Sequence, residues 1–99
     1  MMTSKQRSYL KGLAMNIDPI FQIGKGGLTT EYLEGVEEAL EARELIKINV
    51  LKNCLDEPKE LAYAIGENTD SEVVQVIGRK IVLYREARQP EKRKIVLPK

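Results

Sequence analysis

Gly24, Lys25, Gly26 and Gly27 form the segment of this sequence best suited to binding chemistry. Glycine permits positive φ angles and leaves room for another molecule, because it has no Cβ. Exposed backbone N–H groups at the start of a helix attract an anion, and Lys25 adds a positive charge. The segment therefore predicts a phosphate-binding turn. Geometry alone would also account for glycine in a tight strand-to-helix turn, and the spacing matches neither a nucleotide P-loop nor G-x-G-x-x-G.

Two further groups of basic residues could act with this turn, one in the first predicted helix and one in a predicted hairpin. If the glycine turn and the hairpin at Gly78–Arg79 lie toward the same end of a sheet, their bases converge on one surface. An ordinary solvent-exposed hairpin would account equally well for its own two bases. The candidate binding residues are Lys5, Arg7, Lys11, Gly24, Lys25, Gly26, Gly27, Arg79 and Lys80.

The charges are separated along the chain, although the net charge is only +1. Residues 1–28 carry four bases and one acid, residues 29–78 four bases and twelve acids, and residues 79–99 eight bases and two acids. Such a separation gives a protein an electrostatic direction. It predicts that the two ends of the sequence hold an anionic partner.

Catalytic and metal-binding chemistry is not expected. The sequence has no histidine and a single cysteine, Cys54, which removes the usual general base, the Ser-His and Cys-His nucleophile pairs and most metal sites. The 15 acidic residues include no defined carboxylate pair, so a small hydrolase is disfavoured. We expect no catalytic residue, cofactor, metal or small-molecule substrate.

The expected location is the cytoplasm, without a membrane partner. No apolar stretch approaches the roughly 18 residues that a membrane span needs. The polar N-terminus lacks the apolar run of a signal peptide. A single cysteine cannot form an internal disulfide, which is typical of a reducing compartment.

Hydrophobic periodicity predicts three helices and four strands that position these residues. Thr29 or Thr30 is expected to cap the second helix, and Asp56 or Glu57 the third. Most of the aromatic residues are expected to face the core. The predicted elements are a helix over 4–16, a strand over 20–23, a helix beginning at 29–31, a strand over 44–51, a helix from 56–58 to 66–68, and strands over 72–77 and 80–85.

The fold class predicted from this order, α-β-α-β-α-β-β, is α/β. We expect a single domain with a four-stranded mixed sheet and helices packed on it, with parallel neighbours and an antiparallel final hairpin. The predicted domain spans residues 1–86, followed by a basic C-terminal tail over 87–99. The tail could dock on the body as a small edge strand or remain partly ordered.

Five segments in register along residues 4–85 resemble the YhbY family, whose members are single-domain proteins of the CRM (chloroplast RNA splicing and ribosome maturation) type. Any one segment is a weak signal, whereas five in order are specific. The segments are Lys5–Ala14, Ile23–Thr29, Leu45–Ile48, Val76–Arg79 and Val82–Arg85.

This resemblance implies a fold similar to the C-terminal domain of translation initiation factor three. It implies a GxxG loop that binds RNA, here Gly24 to Gly27, and association with precursors of the large ribosomal subunit. The expected partner is therefore RNA, specifically ribosomal RNA in pre-ribosomal particles. With few aromatic residues available for base stacking, recognition of backbone and shape in structured RNA is expected to dominate.

A second hypothesis assigns the binding surface to the acidic face of the second helix. In that case the protein is an interaction module that binds a basic partner such as a ribosomal protein. Under the first hypothesis the same face is solvated and points away from RNA. The residues concerned are Glu34, Glu37, Glu38 and Glu41.

Overall fold

The computed structural model describes residues 2–99 and confirms the predicted order of helices and strands. A short 3-10 helix follows the last strand. The elements are α1 (Ser4–Ala14), β1 (Phe21–Ile23), α2 (Thr30–Arg43), β2 (Leu45–Val50), α3 (Pro58–Thr69), β3 (Glu72–Ile77), β4 (Lys80–Tyr84) and the 3-10 helix Pro90–Lys92.

The four strands form one mixed sheet in the order β1-β2-β4-β3. β1 pairs with β2 in parallel, while β4 is antiparallel to both β2 and β3. The mixed sheet and its final hairpin are therefore as predicted. β4 lies between β2 and β3, so only β1 and β2 are parallel neighbours. This insertion places the β3–β4 hairpin at the same end of the sheet as the carboxyl ends of β1 and β2.

Helices cover both faces of the sheet. Successive side chains of a strand point to opposite faces, so each strand contributes to two cores. Ile46, Ile48 and Ile81 are buried beneath α2 and α3. On the other face, α1 packs through Leu10 and Ala14 onto a smaller cluster that contains Leu45, Val74, Val82 and Tyr84.

Side chains cap the first two helices. At α1, the Thr3 hydroxyl accepts from the Gln6 backbone N–H at 3.1 Å, and the side-chain Oε1 of Gln6 accepts from the Thr3 backbone N–H at 3.1 Å. This reciprocal pair satisfies N–H groups that the helix leaves free. Thr29 caps α2, as one of the two predicted alternatives had it. Glu57 precedes α3 without a side-chain capping bond.

The end of the sheet opposite the hairpin is organised around a buried carboxylate. Glu44 is fully buried at a φ of 66°. Its carboxylate accepts hydrogen bonds from the N–H groups of Ala87 (2.7 Å), Lys94 (2.7 Å) and Ile95 (2.9 Å). Burial raises the pKa of Glu44, but the three hydrogen bonds and the Arg93 charge outweigh it, so the pKa lies below its ordinary value.

These bonds hold the segment beyond β4 against the body. Ile95 and Leu97 pack beside α1, and Gln6 donates to the Pro98 carbonyl at 3.0 Å. Residues 87–99 form no strand. Apart from the 3-10 helix Pro90–Lys92, they pack on the body as irregular chain. We call Glu44, Arg85 and residues 87–95 the tail end. The domain boundary predicted at residue 86 stays a prediction.

Arg85 corrects two expectations from the charge pattern. Its side chain is only 8% exposed and forms ion pairs with Glu37 at 3.0 Å and Glu41 at 3.3 Å. Arg85 is therefore not one of the free C-terminal bases available to an anionic partner. The acidic face of α2 is not simply solvated either, because Glu41 also accepts from the N–H groups of Arg88 and Gln89. These two hydrogen bonds lead the causes that lower the pKa of Glu41.

Three of the five aromatic side chains, those of Phe21, Tyr32 and Tyr84, face the core, in line with the expectation for most of them, and two do not. Tyr9 is 43% exposed and Tyr63 is 57% exposed. Phe21 and Tyr32 do contact each other beneath α2, with ring centroids 5.6 Å apart. Burial raises the pKa of the Tyr32 hydroxyl. Within residues 2–99, no helix combines the length and apolar content that a membrane crossing requires.

Candidate nucleic-acid interface

Three connecting segments meet at one end of the sheet, which we call the loop end. They are the β1–α2 connection (residues 24–29), the β2–α3 connection (51–57) and the β3–β4 hairpin turn (78–79). The parallel pairing of β1 with β2 brings the first two together. The pairing of Asn49 with Lys80 places the hairpin beside the end of β2.

Hydrogen bonds fix these segments to one another. The Leu51 N–H donates to the Ile23 carbonyl at 2.8 Å, and the Val50 N–H donates to the Arg79 carbonyl at 2.7 Å. The Arg79 guanidinium donates to the Leu51 carbonyl at 3.1 Å. The β2–α3 connection thus lies between the glycine turn and the hairpin, which makes the loop end one continuous surface.

The three glycines of the turn differ in how tightly the fold constrains them. The Gly27 N–H donates to the Gly24 carbonyl at 3.1 Å, so Lys25 and Gly26 occupy the corner of a β-turn. Gly27 has a φ of 64°, which favours glycine. A Cβ on Gly24 would lie 3.2 Å from the Asn53 side chain.

Gly26, by contrast, faces open space. A Cβ there would have no heavy atom within 4 Å, and its φ is not in the left-handed region. Gly24 and Gly27 therefore have structural reasons to be glycine, whereas the fold imposes none on Gly26. Its lack of a side chain instead leaves the exposed backbone beside Lys25 open to another molecule.

The cations of the loop end carry no carboxylate partner. Lys25, Lys52, Arg79 and Lys80 are all exposed. Within residues 2–99, ion pairs join only Arg85, Arg88 and Arg93 to acids, and all three arginines lie at or beyond the end of β4. The convergence expected for Lys25, Arg79 and Lys80 is what the structure shows, while their binding role stays a prediction.

Lys52 belongs to this group but was missed in the sequence. It lies two residues after the end of β2, in the connection that corresponds to the glycine turn after β1. Carboxyl ends of parallel strands meet at one edge of a sheet. Parallel pairing of β1 with β2 would therefore have been enough to predict that Lys52 lies near the glycine turn. The loop end also contains acids, since a Cβ on Gly27 would lie 3.8 Å from the Asp56 carboxylate.

The candidate bases of α1 do not all join the loop end. Arg7 donates to the carbonyls of Val73 and Val74, the latter at 3.0 Å, where the pairing of β3 with β4 is irregular. These residues begin β3, whereas the hairpin lies at its other end. Lys5 is exposed and Lys11 partly exposed on α1, on the sheet face opposite α2 and α3. Arg7 thus bonds to the protein itself.

Metal coordination has no structural support in residues 2–99, where no three His, Cys, Asp or Glu side chains are grouped to hold an ion. Cys54 is 8% exposed and bonds through its N–H to the Leu51 carbonyl at 3.1 Å. It is a small buried residue just after the end of β2.

Comparison with known proteins assigns this architecture to a family. The model of the CRS1/YhbY (CRM) domain matches residues 2–85. The chain belongs to the CRS1/YhbY (CRM) domain family. The match contains the five segments that carry the resemblance, including the turn Gly24–Gly27.

Several relatives match this CRM domain over nearly its full length. "Probable RNA-binding protein YqeI" of Bacillus subtilis is 45% identical over 98 residues, covering 99% of this chain and 100% of the relative. "RNA-binding protein" of Haemophilus influenzae is 38% identical, covering 99% and 96%. The solution structure of the hypothetical protein SAV1595 from Staphylococcus aureus is 52% identical, with a TM-score of 0.78 and coverage of 99% and 100%.

Proposed function

We propose that this protein binds structured RNA through its loop end and catalyses no reaction. The observation that carries the proposal is the convergence of Lys25, Lys52, Arg79 and Lys80 around a glycine turn whose Gly26 is open to solvent. Cations without carboxylate partners attract a phosphate backbone and release its counterions. The exposed turn lets that backbone approach the protein main chain closely.

The names of the relatives support RNA as the ligand. Two relatives that match nearly the whole chain are named as RNA-binding proteins. The sequence has no histidine, the residue that many hydrolases use as a general base, and this fits a binding role. The loop end presents cations and backbone N–H groups, which contact phosphates and do not by themselves read sequence.

The specific RNA in this proposal is ribosomal RNA in precursors of the large ribosomal subunit, within the cytoplasm. The support is the CRM family, whose stand-alone members the sequence resembles. Sequencing the RNA that co-purifies with the protein at mild salt is the direct test. Enrichment of large-subunit precursor RNA is expected, and a population without ribosomal RNA would contradict this part of the proposal.

The alternative is a protein-interaction module on the acidic face of α2. Only part of that face is available to a partner, because two of its four acids bind within the protein. Glu37 and Glu41 bind Arg85, and Glu41 also binds the backbone of residues 88 and 89. Glu34 and Glu38 remain exposed. Charge reversal at Glu34 and Glu38 should leave RNA affinity unchanged or stronger, whereas loss of a protein partner would favour the alternative.

Lys25→Ala and Lys52→Ala test the loop end. With a labelled stem-loop RNA, the slope of log affinity against log salt should be roughly −3 to −4 for four phosphate contacts, and each variant should reduce it by about 0.7 to 0.9. Lys94→Ala is the matched control, because this exposed lysine lies at the tail end. A wild-type slope near zero, or equal slopes in all four proteins, would contradict the proposal.

A further inference from the structure

A row of four side chains crosses the sheet immediately beside the loop end. Gln22 pairs with Asn49, Asn49 with Lys80, and Lys80 with Ile77, so the row runs through β1, β2, β4 and β3 in register. Strands lie about 4.7–4.9 Å apart, which makes the row about 14 Å long. This length can contact more than one nucleotide.

The row lies on the sheet face that carries α1, beyond the area that this helix covers. Asn49 shares its face with Leu45, and Lys80 shares its face with Val82 and Tyr84, because side chains alternate along a strand. α1 buries Leu45, Val82 and Tyr84 but not the row. Gln22 and Lys80 are exposed, Asn49 is partly exposed, and Ile77 is 60% exposed.

A hydrogen bond within the row fixes the orientation of the Asn49 side-chain amide. The Lys80 ammonium donates to the Asn49 side-chain oxygen at 2.9 Å. An ammonium has only donors, so the oxygen of Asn49 must face it and the amide NH2 must face away. Asn49 therefore offers two oriented N–H donors beside the cation of Lys80. Ile77 adds an apolar contact at the β3 edge.

The charge around the row indicates on which side of the sheet an anionic strand would continue from the loop end. α1 carries three bases and no acid, whereas α2 carries five acids and one base. Asp56 and Glu57, the acids of the loop end, directly precede α3 and so add negative charge where that helix begins. A polyanion at the loop end is repelled from the α2–α3 face and attracted toward the face with α1 and the row.

We infer that the row Gln22–Asn49–Lys80–Ile77 binds unpaired nucleotides of an RNA whose paired region is held at the loop end. This inference rests on the proposed function and adds to it the class of RNA structure that is recognised. Lys80 contacts a phosphate, and the amide groups of Asn49 and Gln22 bond to Watson–Crick edges, which only unpaired bases expose. Ile77 packs on a sugar or base.

Two RNA probes test the inference: a blunt duplex, and the same duplex with a single-stranded run of uridines at one end. The variants are Asn49→Ala and Ile77→Ala, with Asn68→Ala and Val96→Ala as matched controls of the same residue character away from the row. Thermal unfolding followed by circular dichroism verifies that each variant remains folded. Fluorescence anisotropy at fixed salt measures the affinities.

The wild type should bind the extended probe more tightly than the blunt duplex. Asn49→Ala and Ile77→Ala should each weaken binding of the extended probe by roughly 3- to 10-fold and leave the blunt duplex unchanged. The controls should change neither affinity. Equal wild-type affinity for both probes, or an equal loss on both in the row variants, would overturn the inference.

Lys25→Ala reports separately on the proposed function. This variant should weaken binding of both probes, because both place phosphates on the loop end. If it changes neither affinity, the loop-end proposal fails. The row is still judged from the difference between the two probes.

Discussion

At the loop end, Lys25, Lys52 and Arg79 are exposed and have no carboxylate partner within the described chain, whereas at the tail end Glu44 and Arg85 are buried and bound on several sides. Both ends belong to one sheet, and both are rich in charge. They differ in what satisfies that charge. At the tail end the protein itself supplies the partners of Glu44 and Arg85, whereas the loop-end cations face solvent.

This difference separates stability from binding in the same small domain. A buried charge must be paired or hydrogen-bonded, and removing one partner is costly. An exposed lysine contributes little to stability, so it can be replaced without unfolding the protein. Substitutions of the buried residues Glu44 and Arg85 should therefore change the free energy of unfolding, and those of the exposed loop-end cations should change RNA affinity.

The largest effect is expected from Glu44→Gln. This change removes a charged acceptor of three backbone N–H bonds in a buried site. The free energy of unfolding should fall by about 2–4 kcal/mol, measured by urea denaturation. RNA affinity should not change under conditions in which the variant is folded. Glu38→Gln is the control on the exposed surface, and equal stability of the two variants would remove the distinction between the ends.

Acidification should remove part of the same interaction. The pKa values of Glu44 and Glu41 lie below the ordinary value of 4.5 in the folded protein. The unfolded chain therefore takes up protons first, and the free energy of unfolding falls as pH drops below about 4.5 and through the folded-state pKa values. Above that range their contribution is fully present. Glu44→Gln should flatten this dependence, and an unchanged slope in the variant would contradict the assignment.

Arg7→Ala sharpens the comparison, because Arg7 was predicted to contact phosphates and instead binds Val73 and Val74. The variant should lose about 1.5–3 kcal/mol of stability, the range for hydrogen bonds to charged groups. The salt slope of RNA binding should stay the same. A reduced slope with unchanged stability would return Arg7 to the binding surface.

The smallest stability effects are expected in the glycine turn, where two neighbouring residues should respond in opposite ways. Gly27→Ala should cost about 1 kcal/mol or slightly more, since alanine disfavours a φ of 64°. Gly26→Ala should leave stability unchanged or raise it by about 0.4–1 kcal/mol, yet weaken RNA binding by covering the exposed backbone. If Gly26→Ala binds RNA as the wild type does, the turn has a structural role only.

Local signals predicted most of the fold. The span of β3, the cap at Thr29 and the hairpin at Gly78 follow from residues close together in the chain. Helix ends were less accurate: α1 stops at Ala14, before the predicted Asn16, and α3 continues to Thr69. Helix ends depend on packing as well as on local sequence, which explains these differences.

The sequence predicted the residues that strand order brings to the candidate site. It did not predict which bases and acids form single long-range contacts within the protein. The pairing of β1 with β2 and the β3–β4 hairpin brought the glycine turn and Arg79 to one end. Nothing local distinguishes Arg7, which reaches a backbone irregularity 66 positions away, from a free surface base. Glu44 likewise appears as one more acid in an acidic segment, although its acceptor bonds reach residues more than 40 positions away.

The three N–H bonds to Glu44 have a consequence for any shortened form of the chain. The family match stops at residue 85, but a fragment cut there would lose every backbone donor to this carboxylate, together with the Ile95 and Leu97 side chains beside α1. Water would then reach both the carboxylate and the apolar side chains that Ile95 and Leu97 cover. A fragment that ends where the family match ends should therefore be less stable than a chain that includes residues 87–97.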